Sequence, residues 1–199
     1  MIEPTLTLVV LAKNHEDLAA FQLQHVLGSV DELILLANNP PGFGGLGAVG
    51  NYALDHGRCD VVGLVHADTV LGPGALEAFC REAAAGAVTG IVGSALGAAE
   101  IWCNDIHETT GVSTLDSCSI FARRDIGVRF DVEIFDGFHC CVEDFCLSAA
   151  ARGTPAKVPP ASGCKHPGTM WKRPAWIKDY FRYRALLNKK WLGTSFFTT

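Results

Sequence analysis

The sequence predicts an α/β protein built on an open, mostly parallel sheet with helices on both faces. Short apolar runs rich in β-branched residues, of which residues 5–12 are the first, alternate with segments whose apolar residues recur at helical spacing. The chain has 199 residues, 49% of them hydrophobic, which is enough for one sizeable core. We therefore expect a single domain over residues 1–199, in which residues 174–191 form a C-terminal amphipathic helix.

The predicted elements follow one another as β-α-β units. They are strand 5–12, helix 14–28, strand 32–37, a helix through Asn51 and Leu54, strand 61–65, helix 73–86, and strands 88–92 and 115–122. Between the last two strands, residues 93–113 show no regular pattern and are predicted to form a loop over the functional site. Strands joined through helices favour parallel pairing.

Charge and composition argue against several classes of protein. The formal net charge is −5, which argues against nucleic-acid binding. No apolar run approaches the length of a membrane span, about 18 residues. The start of the chain has acidic residues where a signal peptide has basic ones. We therefore expect a cytoplasmic protein. The eight cysteines include no CxxC pair and are expected to be free, mostly buried thiols.

Residues 42–47, GFGGLG, match the spacing of a dinucleotide-binding fingerprint, with Asp68 about twenty residues further on. This match supports a nicotinamide-dinucleotide-binding oxidoreductase as an alternative function. However, four residues including two prolines separate the preceding strand from Gly42, whereas the fingerprint turn leaves its strand directly. The match to the dinucleotide-binding fingerprint is therefore weak support for nicotinamide binding.

The motif His66-Ala67-Asp68-Thr69 closes the third strand at its carboxyl end, where open α/β sheets place their ligands. An aspartate there can hold a divalent cation that bridges a diphosphate, because hard oxygen ligands suit Mg²⁺ or Mn²⁺. The alternative is a simple turn aspartate before Gly72. Asp116, near the start of a later strand, is also expected to face the cleft.

Two adjacent acids, Glu143 and Asp144, stand at the start of an apolar helical pattern, and His166 follows 22 residues after Asp144. Carboxylates in the first turn are stabilised by the helix dipole. A short strand-like segment between them and His166 would return the histidine towards the acids, an arrangement that suits a catalytic base beside a metal. The alternative is an ordinary charged first turn and a loop histidine.

The segment 165–190 carries eight Lys or Arg residues against one acid, Asp179. We expect these cations to hold phosphates, although a solvated helix face is equally compatible. The helix also has an apolar stripe, predicted to pack on the sheet and made of Trp176, Ile177, Tyr180, Phe181, Tyr183, Leu187 and Trp191. Docking on a membrane surface or a dimer contact is left open, because the opposite face is basic.

Taken together, three places resemble the family-2 glycosyltransferases of GT-A fold, and more closely a small subgroup related to a streptomycin-biosynthesis protein. They are the HADT motif, the stretch 138–147 (FHCCVEDFCL) and His166, and the resemblance covers roughly residues 5 to 175. It implies Asp68 as the metal and diphosphate contact, Asp144 as the catalytic base and His166 as a further metal ligand. The chain departs from the family where His66 replaces the first acid of the DxD motif and where Val142 replaces an acid.

The resemblance implies an inverting, metal-dependent hexosyltransferase. It would move a sugar from a nucleotide-diphosphate donor to the hydroxyl of a saccharide, a lipid-linked molecule or a small molecule, with Mn²⁺ or Mg²⁺ bound. Asp144 would be the base, with Glu143 as the nearest substitute. The donor contacts would be Lys13, Asn14, Asn38, Asn51, Asp68, Lys172 and Arg173, and the metal ligands Asp68 and His166. A catalytically silent nucleotide-binding domain is the remaining alternative, because the first DxD acid is missing.

Overall fold

The computed structural model describes residues 3–12, 29–37, 44–95, 99–167 and 174–193. Their helices and strands are β1 (Leu6–Ala12), β2 (Glu32–Ala37), α1 (Leu46–His56), β3 (Val61–His66), α2 (Ala75–Ala84), β4 (Val88–Thr89), β5 (Val92–Ser94), β6 (Glu100–Trp102), β7 (Thr110–Val112), β8 (Thr114–Leu115), β9 (Ser119–Arg123), α3 (Cys141–Ala150), β10 (Ala156–Val158) and α4 (Pro174–Trp191). None of the helices in the described ranges is long and apolar enough to cross a membrane.

The main sheet has seven strands in the order β2-β1-β3-β9-β4-β10-β7. Strand β1 pairs in parallel with β2 on one side and with β3 on the other, so that Val9 lies opposite both Ile34 and Leu64. Every residue of β1 is buried, as expected for a strand covered on both faces, and each large apolar side chain buried there stabilises the fold by about 1.5–3 kcal/mol. The predicted α/β class and its mostly parallel sheet are confirmed.

Most predicted elements within the described ranges are present. Strands β1, β2 and β3 and helix α1 lie where the sequence placed them. Helix α2 begins at Ala75, two residues after the predicted start at Pro73, and Gly86 follows its end with a left-handed φ of 96°, a conformation that glycine adopts without strain. The helix predicted after Asn14 lies outside the described residues.

The prediction of one strand over residues 88–92 is wrong. The chain forms β4 and then β5, which belong to two different sheets, the second being the three-stranded sheet β6-β5-β8. The break falls at Gly90, where a Cβ atom would lie 2.5 Å from the carbonyl oxygen of Ser119. The next amide, that of Ile91, donates to Ser119 Oγ at 2.9 Å instead of continuing the ladder.

Two further corrections concern the neighbouring segments. Residues 115–122 form two strands, β8 and β9, separated by a turn at Asp116, whose Oδ1 accepts the Cys118 N–H at 2.8 Å. Residues 93–113, predicted to be an irregular loop, contain most of β5 and all of β6 and β7. Strands of two or three residues are too short to show an alternating pattern, so the sequence carries no period for them.

Substituting Gly63 by Ala should destabilise the protein, because Gly63 in β3 lies directly under Phe121. The new Cβ would lie 2.4 Å from the ring, and overpacking of this kind costs about 1–3 kcal/mol of unfolding free energy. Urea denaturation followed by circular dichroism measures the change. Gly111→Ala in β7 is the control, since a Cβ there has no heavy atom within 4 Å. Equal stability of the two variants would contradict the packing described for β3.

Candidate active site

One part of the candidate site lies where β3 ends, at the carboxyl edge of the sheet. After this strand, the Val70 N–H donates to the Lys165 carbonyl at 2.8 Å, and the Lys165 N–H donates back to Val70 at 2.9 Å. This pair of hydrogen bonds brings His166 next to Asp68, with 3.4 Å between His166 Nε2 and Asp68 Oδ1. The structure thus brings together the two residues that the sequence analysis singled out as metal ligands.

His66, the last residue of β3, completes a group of three possible metal ligands. One ligand atom from each of His66, Asp68 and His166 lies within 4.8 Å of the others. The Nε2 atom of His66 is buried and has no hydrogen-bond partner among the described residues. A buried ring nitrogen without a partner is costly, and a metal ion held between the three side chains would remove that cost. The residues present therefore fit a metal ion.

The charges in this group also suit metal binding. Burial, reinforced by the neighbouring His166, lowers the pKa of His66 and keeps its ring neutral, which is the form that binds metals. The hydrogen bond from His166 lowers the pKa of Asp68, so this carboxylate is ionised. Burial alone would lower the pKa of His166, but the hydrogen bond and the charge of Asp68 outweigh it and raise this pKa. Metal binding would displace the proton that the raised pKa favours on His166.

Asp116 lies beside this group at the turn between β8 and β9. Its carboxylate, the Cys118 thiol and His166 form a second set of possible ligands within 4.8 Å of one another. Cys118 is a poor ligand in this state, because burial raises the pKa of its thiol well above the usual value. Asp116 itself is exposed, and its orientation into the cleft stays a prediction.

Glu143 is an ionisable group on α3 with an unusual pKa. It lies in the first turn of α3, just after Cys140, whose φ of 62° marks a sharp entry into the helix. Burial, followed by the negative charge of Asp116, raises the pKa of Glu143 to about 7, while Arg184 on α4 opposes the shift. The charge of Asp116 contributes to raising the pKa of both Glu143 and His166, so Asp116 links the two groups electrostatically.

Asp144, the neighbour of Glu143, has a completely different environment. Its side chain is fully buried, and its two oxygens accept hydrogen bonds from Trp191 Nε1 at 2.7 Å and from Lys190 Nζ at 3.0 Å. Lys190 also binds Asp131 at 2.7 Å, and these two carboxylates raise the pKa of the lysine despite its burial. Asp144 therefore anchors the C-terminal helix to α3.

The fold of the chain is shared with proteins of known structure. No protein-family model and no curated protein matches the sequence. The S. aureus TarS structure, residues 1–349, superposes with a TM-score of 0.54 at 13% identity, covering 96% of this chain and 66% of that one. Its fold is that of a GT-A-like glycosyltransferase. The structure of A197 from STIV superposes with a TM-score of 0.51 at 12% identity, covering 81% of this chain and 83% of that one.

This chain has a GT-A-like fold. At such low identity the likeness concerns the fold alone, so it does not extend to the narrower subgroup suggested by the sequence motifs. It does place the cluster of His66, Asp68 and His166 at the carboxyl edge of the parallel strands of a GT-A-like sheet. In open α/β folds this edge is where ligands bind.

Several residues predicted to contact the donor lie outside the described residues. These are Lys13, Asn14, Asn38, Lys172 and Arg173. Asn51 is described, and both ends of its side-chain amide bind backbone: Nδ2 donates to the Phe130 carbonyl at 2.9 Å, and Oδ1 accepts the Phe130 N–H at 2.8 Å. Asn51 thus ties α1 to the segment before α3, and this geometry does not support its prediction as a nucleotide contact.

The described part of the glycine-rich stretch, residues 44–47, has a packing role in the GT-A-like fold. A Cβ at Gly45 would lie 2.5 Å from the carbonyl oxygens of both Asp136 and Gly137, and the Leu46 N–H donates to Gly137 at 3.1 Å. The start of α1 is therefore covered by the protein's own backbone. A pyrophosphate cradle would need these amides to face a ligand, so the geometry weakens the nicotinamide alternative.

Sequence reasoning missed two features of the site. His66 was noted only as a departure from the DxD pattern, although its position two residues before Asp68 at a strand end was a signal for a third ligand. Tyr180 and Arg184 of α4 were counted with an apolar stripe and a basic segment, yet Arg184 acts on both Glu143 and Tyr180. No local pattern in the sequence indicates which helix face meets the cleft.

Replacing Lys190 by Met should destabilise the protein, because it leaves the buried Asp144 carboxylate without its cation. Hydrogen bonds to charged groups are worth about 1.5–3 kcal/mol, and we expect a loss of unfolding free energy in this range. Guanidinium denaturation followed by tryptophan fluorescence measures it. The adjacent Lys189→Met is the matched control, since Lys189 is exposed and should change stability by less than about 0.5 kcal/mol. Equal losses in both variants would argue against the Asp144 anchor.

Proposed function

We propose that this protein is a metal-dependent glycosyltransferase that moves a sugar from a nucleotide-diphosphate donor to an acceptor hydroxyl, with inversion and with family-2-like machinery. The observation that carries the proposal is the cluster of His66, Asp68 and His166, with its orphaned buried nitrogen, at the ligand-binding edge of a GT-A-like sheet. The second support is the carboxyl group of Glu143, which is linked electrostatically through Asp116 to His166 of this cluster. A base and a diphosphate-binding cation are the two requirements of this reaction.

The proposed metal ligands are His66, Asp68 and His166. A cation bound there would offset the negative charge that develops on the departing diphosphate. Two imidazoles and one carboxylate suit Mn²⁺ and other first-row transition metals better than Mg²⁺, which prefers an all-oxygen shell. Of the two cations expected from the sequence, we therefore propose Mn²⁺. Lys172 and Arg173, together with Lys13, Asn14 and Asn38, remain our proposed donor contacts.

Glu143 is the proposed catalytic base, in place of Asp144. A base works best when its pKa lies near the operating pH, and the pKa of Glu143 is raised to about 7. Asp144 has no exposed surface for an acceptor, and both of its oxygens already accept hydrogen bonds from α4. The family resemblance assigned the base to Asp144, and the adjacent Glu143 compensates in this chain.

The donor is proposed to be a nucleotide-diphosphate hexose, and the acceptor a saccharide, a lipid-linked molecule or a small molecule. The oxidoreductase alternative has less support, since the residues around Gly45 pack on backbone. A catalytically silent nucleotide-binding domain is distinguished by experiment: it would bind nucleoside diphosphates without turning over any sugar donor.

His66→Ala should abolish Mn²⁺-dependent binding of nucleoside diphosphates, because it removes one of the three proposed ligands. Calorimetry with UDP, GDP, CDP and dTDP, with and without Mn²⁺, identifies the nucleotide. A nucleotide at a hundred times its dissociation constant should stabilise the wild type by about 2.7 kcal/mol, only when Mn²⁺ is present. His107→Ala is the control, an exposed histidine outside the cluster. Metal-independent binding that survives both His66→Ala and Asp68→Ala would refute this metal site.

Glu143→Gln should keep donor binding and lower the transfer rate by about 10² to 10⁴-fold, since the amide cannot accept the acceptor's proton. The wild-type rate should rise as pH increases through about 7, because Glu143 is deprotonated and able to act as a base only above its raised pKa. Single-turnover kinetics with the identified donor measure both effects.

The matched variant for this test is Asp144→Asn, which should lose stability while its folded molecules keep a far higher rate than Glu143→Gln. If Asp144→Asn is inactive at unchanged stability and Glu143→Gln is active, the base is Asp144. If both variants transfer sugar at the wild-type rate, neither carboxylate is the base.

A further inference from the structure

The side of α4 that faces solvent carries an unusual combination of residues. We call it the outer face and define it by Lys178, Phe181, Arg182, Ala185, Lys189 and Leu192, all of which are exposed. At 100° per residue these positions fall within a stripe about 100° wide. Phe181 and Leu192, with 60% and 66% of their surfaces accessible, are the most exposed large hydrophobic residues in the described part of the chain. The expectation that Phe181 packs on the sheet is therefore wrong.

The opposite side of α4 holds the helix in this orientation. Tyr183 and Leu187 are buried, and the Tyr183 hydroxyl donates to Asp136 at 2.5 Å. One turn further, Lys190 and Trp191 bind the buried Asp144. These contacts fix the rotation of the helix about its axis, so Phe181 and Leu192 cannot turn inward without breaking them. Their exposure is a property of the packed helix.

The outer face is cationic in a protein that is acidic overall. It carries three cations and no acid, while the net charge of the chain is −5. Lys178 and Lys189 take part in no ion pair with the described residues, and Arg182 lies 3.9 Å from Asp136. On the helix, the apolar side chains occupy one edge of the stripe and the cations the other. Helices that lie in the interface of an anionic bilayer combine the same two features.

We propose that the outer face of α4 docks on a membrane surface that contains anionic phospholipid. Phe181 and Leu192 enter the boundary between headgroups and acyl chains, and Lys178 and Lys189 contact lipid phosphates. A symmetric contact with a second copy of the chain is less favourable, because it would place three cations against three cations. An anionic lipid surface is complementary to the positive charge of the outer face. Its acyl chains can also bury Phe181 and Leu192 without a preformed pocket.

Docking would also place the active site near the lipid. Arg184 and Tyr180 lie on the side of α4 opposite the outer face, and both interact electrostatically with Glu143. The catalytic cleft would then be held about one helix diameter, ~10 Å, from the headgroups. This position suits an acceptor anchored in the bilayer, so the proposal narrows the acceptor to the lipid-linked class. The statement about the acceptor rests on the proposed function, whereas the docking itself does not.

The docking is tested by co-sedimentation of the full chain with vesicles, in the absence of nucleotide and metal. Wild-type protein should bind vesicles of phosphatidylcholine mixed with phosphatidylglycerol, bind pure phosphatidylcholine weakly, and lose affinity as salt is raised. Because each cation near an anionic surface changes affinity about fivefold, Lys178→Glu with Lys189→Glu should lower binding by about 25-fold or more. Phe181→Ser with Leu192→Ser should also weaken binding. Since the assay uses neither donor nor metal, a failure of docking is distinguishable from a failure of the proposed transfer reaction.

The control for charge is Arg81→Glu with Arg124→Glu, two exposed cations away from α4 that make the same change in net charge. This variant should bind anionic vesicles nearly as well as the wild type, and circular dichroism should show that all variants are folded. Equal loss in the control, or no binding by the wild type, would overturn the proposal. A concentration-dependent dimer in analytical ultracentrifugation, abolished by Phe181→Ser with Leu192→Ser and accompanied by no vesicle binding, would assign the outer face to a second copy instead.

Discussion

The C-terminal third of the structure depends on the hydrogen bonds that the buried Asp144 carboxylate accepts from Lys190 and Trp191. A fully buried carboxylate is tolerated only where hydrogen bonds and a cation compensate for its lost hydration. Trp191 and Lys190 of α4 donate these hydrogen bonds, and Lys190 provides the cation. Lys190 also donates a hydrogen bond to Asp131. The last turn of the helix is thus held against α3, and the earlier turns, with Tyr180 and Arg184, lie beside the cleft. The outer face of α4 is exposed for the same reason.

The adjacent acids Glu143 and Asp144 have different environments although they are one residue apart in the same helix. Glu143 and Asp144 point about 100° apart, so one reaches the cleft and the other the interior. Burial raises the pKa of Glu143 to about 7 even though Arg184 opposes the shift, and this pKa suits the base that we propose. Asp144 has the cation and the indole N–H that Glu143 lacks. The position of α4 therefore determines which of these two adjacent acids is hydrogen-bonded to a cation, although the two look equivalent in the sequence.

The group of three possible metal ligands depends on a contact between distant parts of the chain. The paired backbone hydrogen bonds of Val70 and Lys165 join a loop after β3 to a segment 95 residues later. The loop carries Asp68, the later segment carries His166, and the end of β3 itself carries His66. A strand end at the edge of a GT-A-like sheet is a site where ligands converge. Where these three side chains meet, the Nε2 atom of His66 is buried without a hydrogen-bond partner among the described residues.

The sequence by itself determined the elements whose pattern is local. The apolar run of β1, the helical spacing of α1 and α2 and the glycine stop at Gly86 depend on neighbouring residues and could be predicted. The HADT and His166 motifs likewise indicated the edge of the sheet where the possible metal ligands meet.

Only the tertiary structure decided the features set by distant contacts. The break at Gly90 depends on the carbonyl of Ser119, and the small second sheet depends on that break. Whether Glu143 or Asp144 faces the cleft depends on where Lys190 and Trp191 lie. Hydrophobic period and motif spacing report on residues within a few turns of one another, whereas burial, pKa and hydrogen-bond partners are set by whichever segment folds against them.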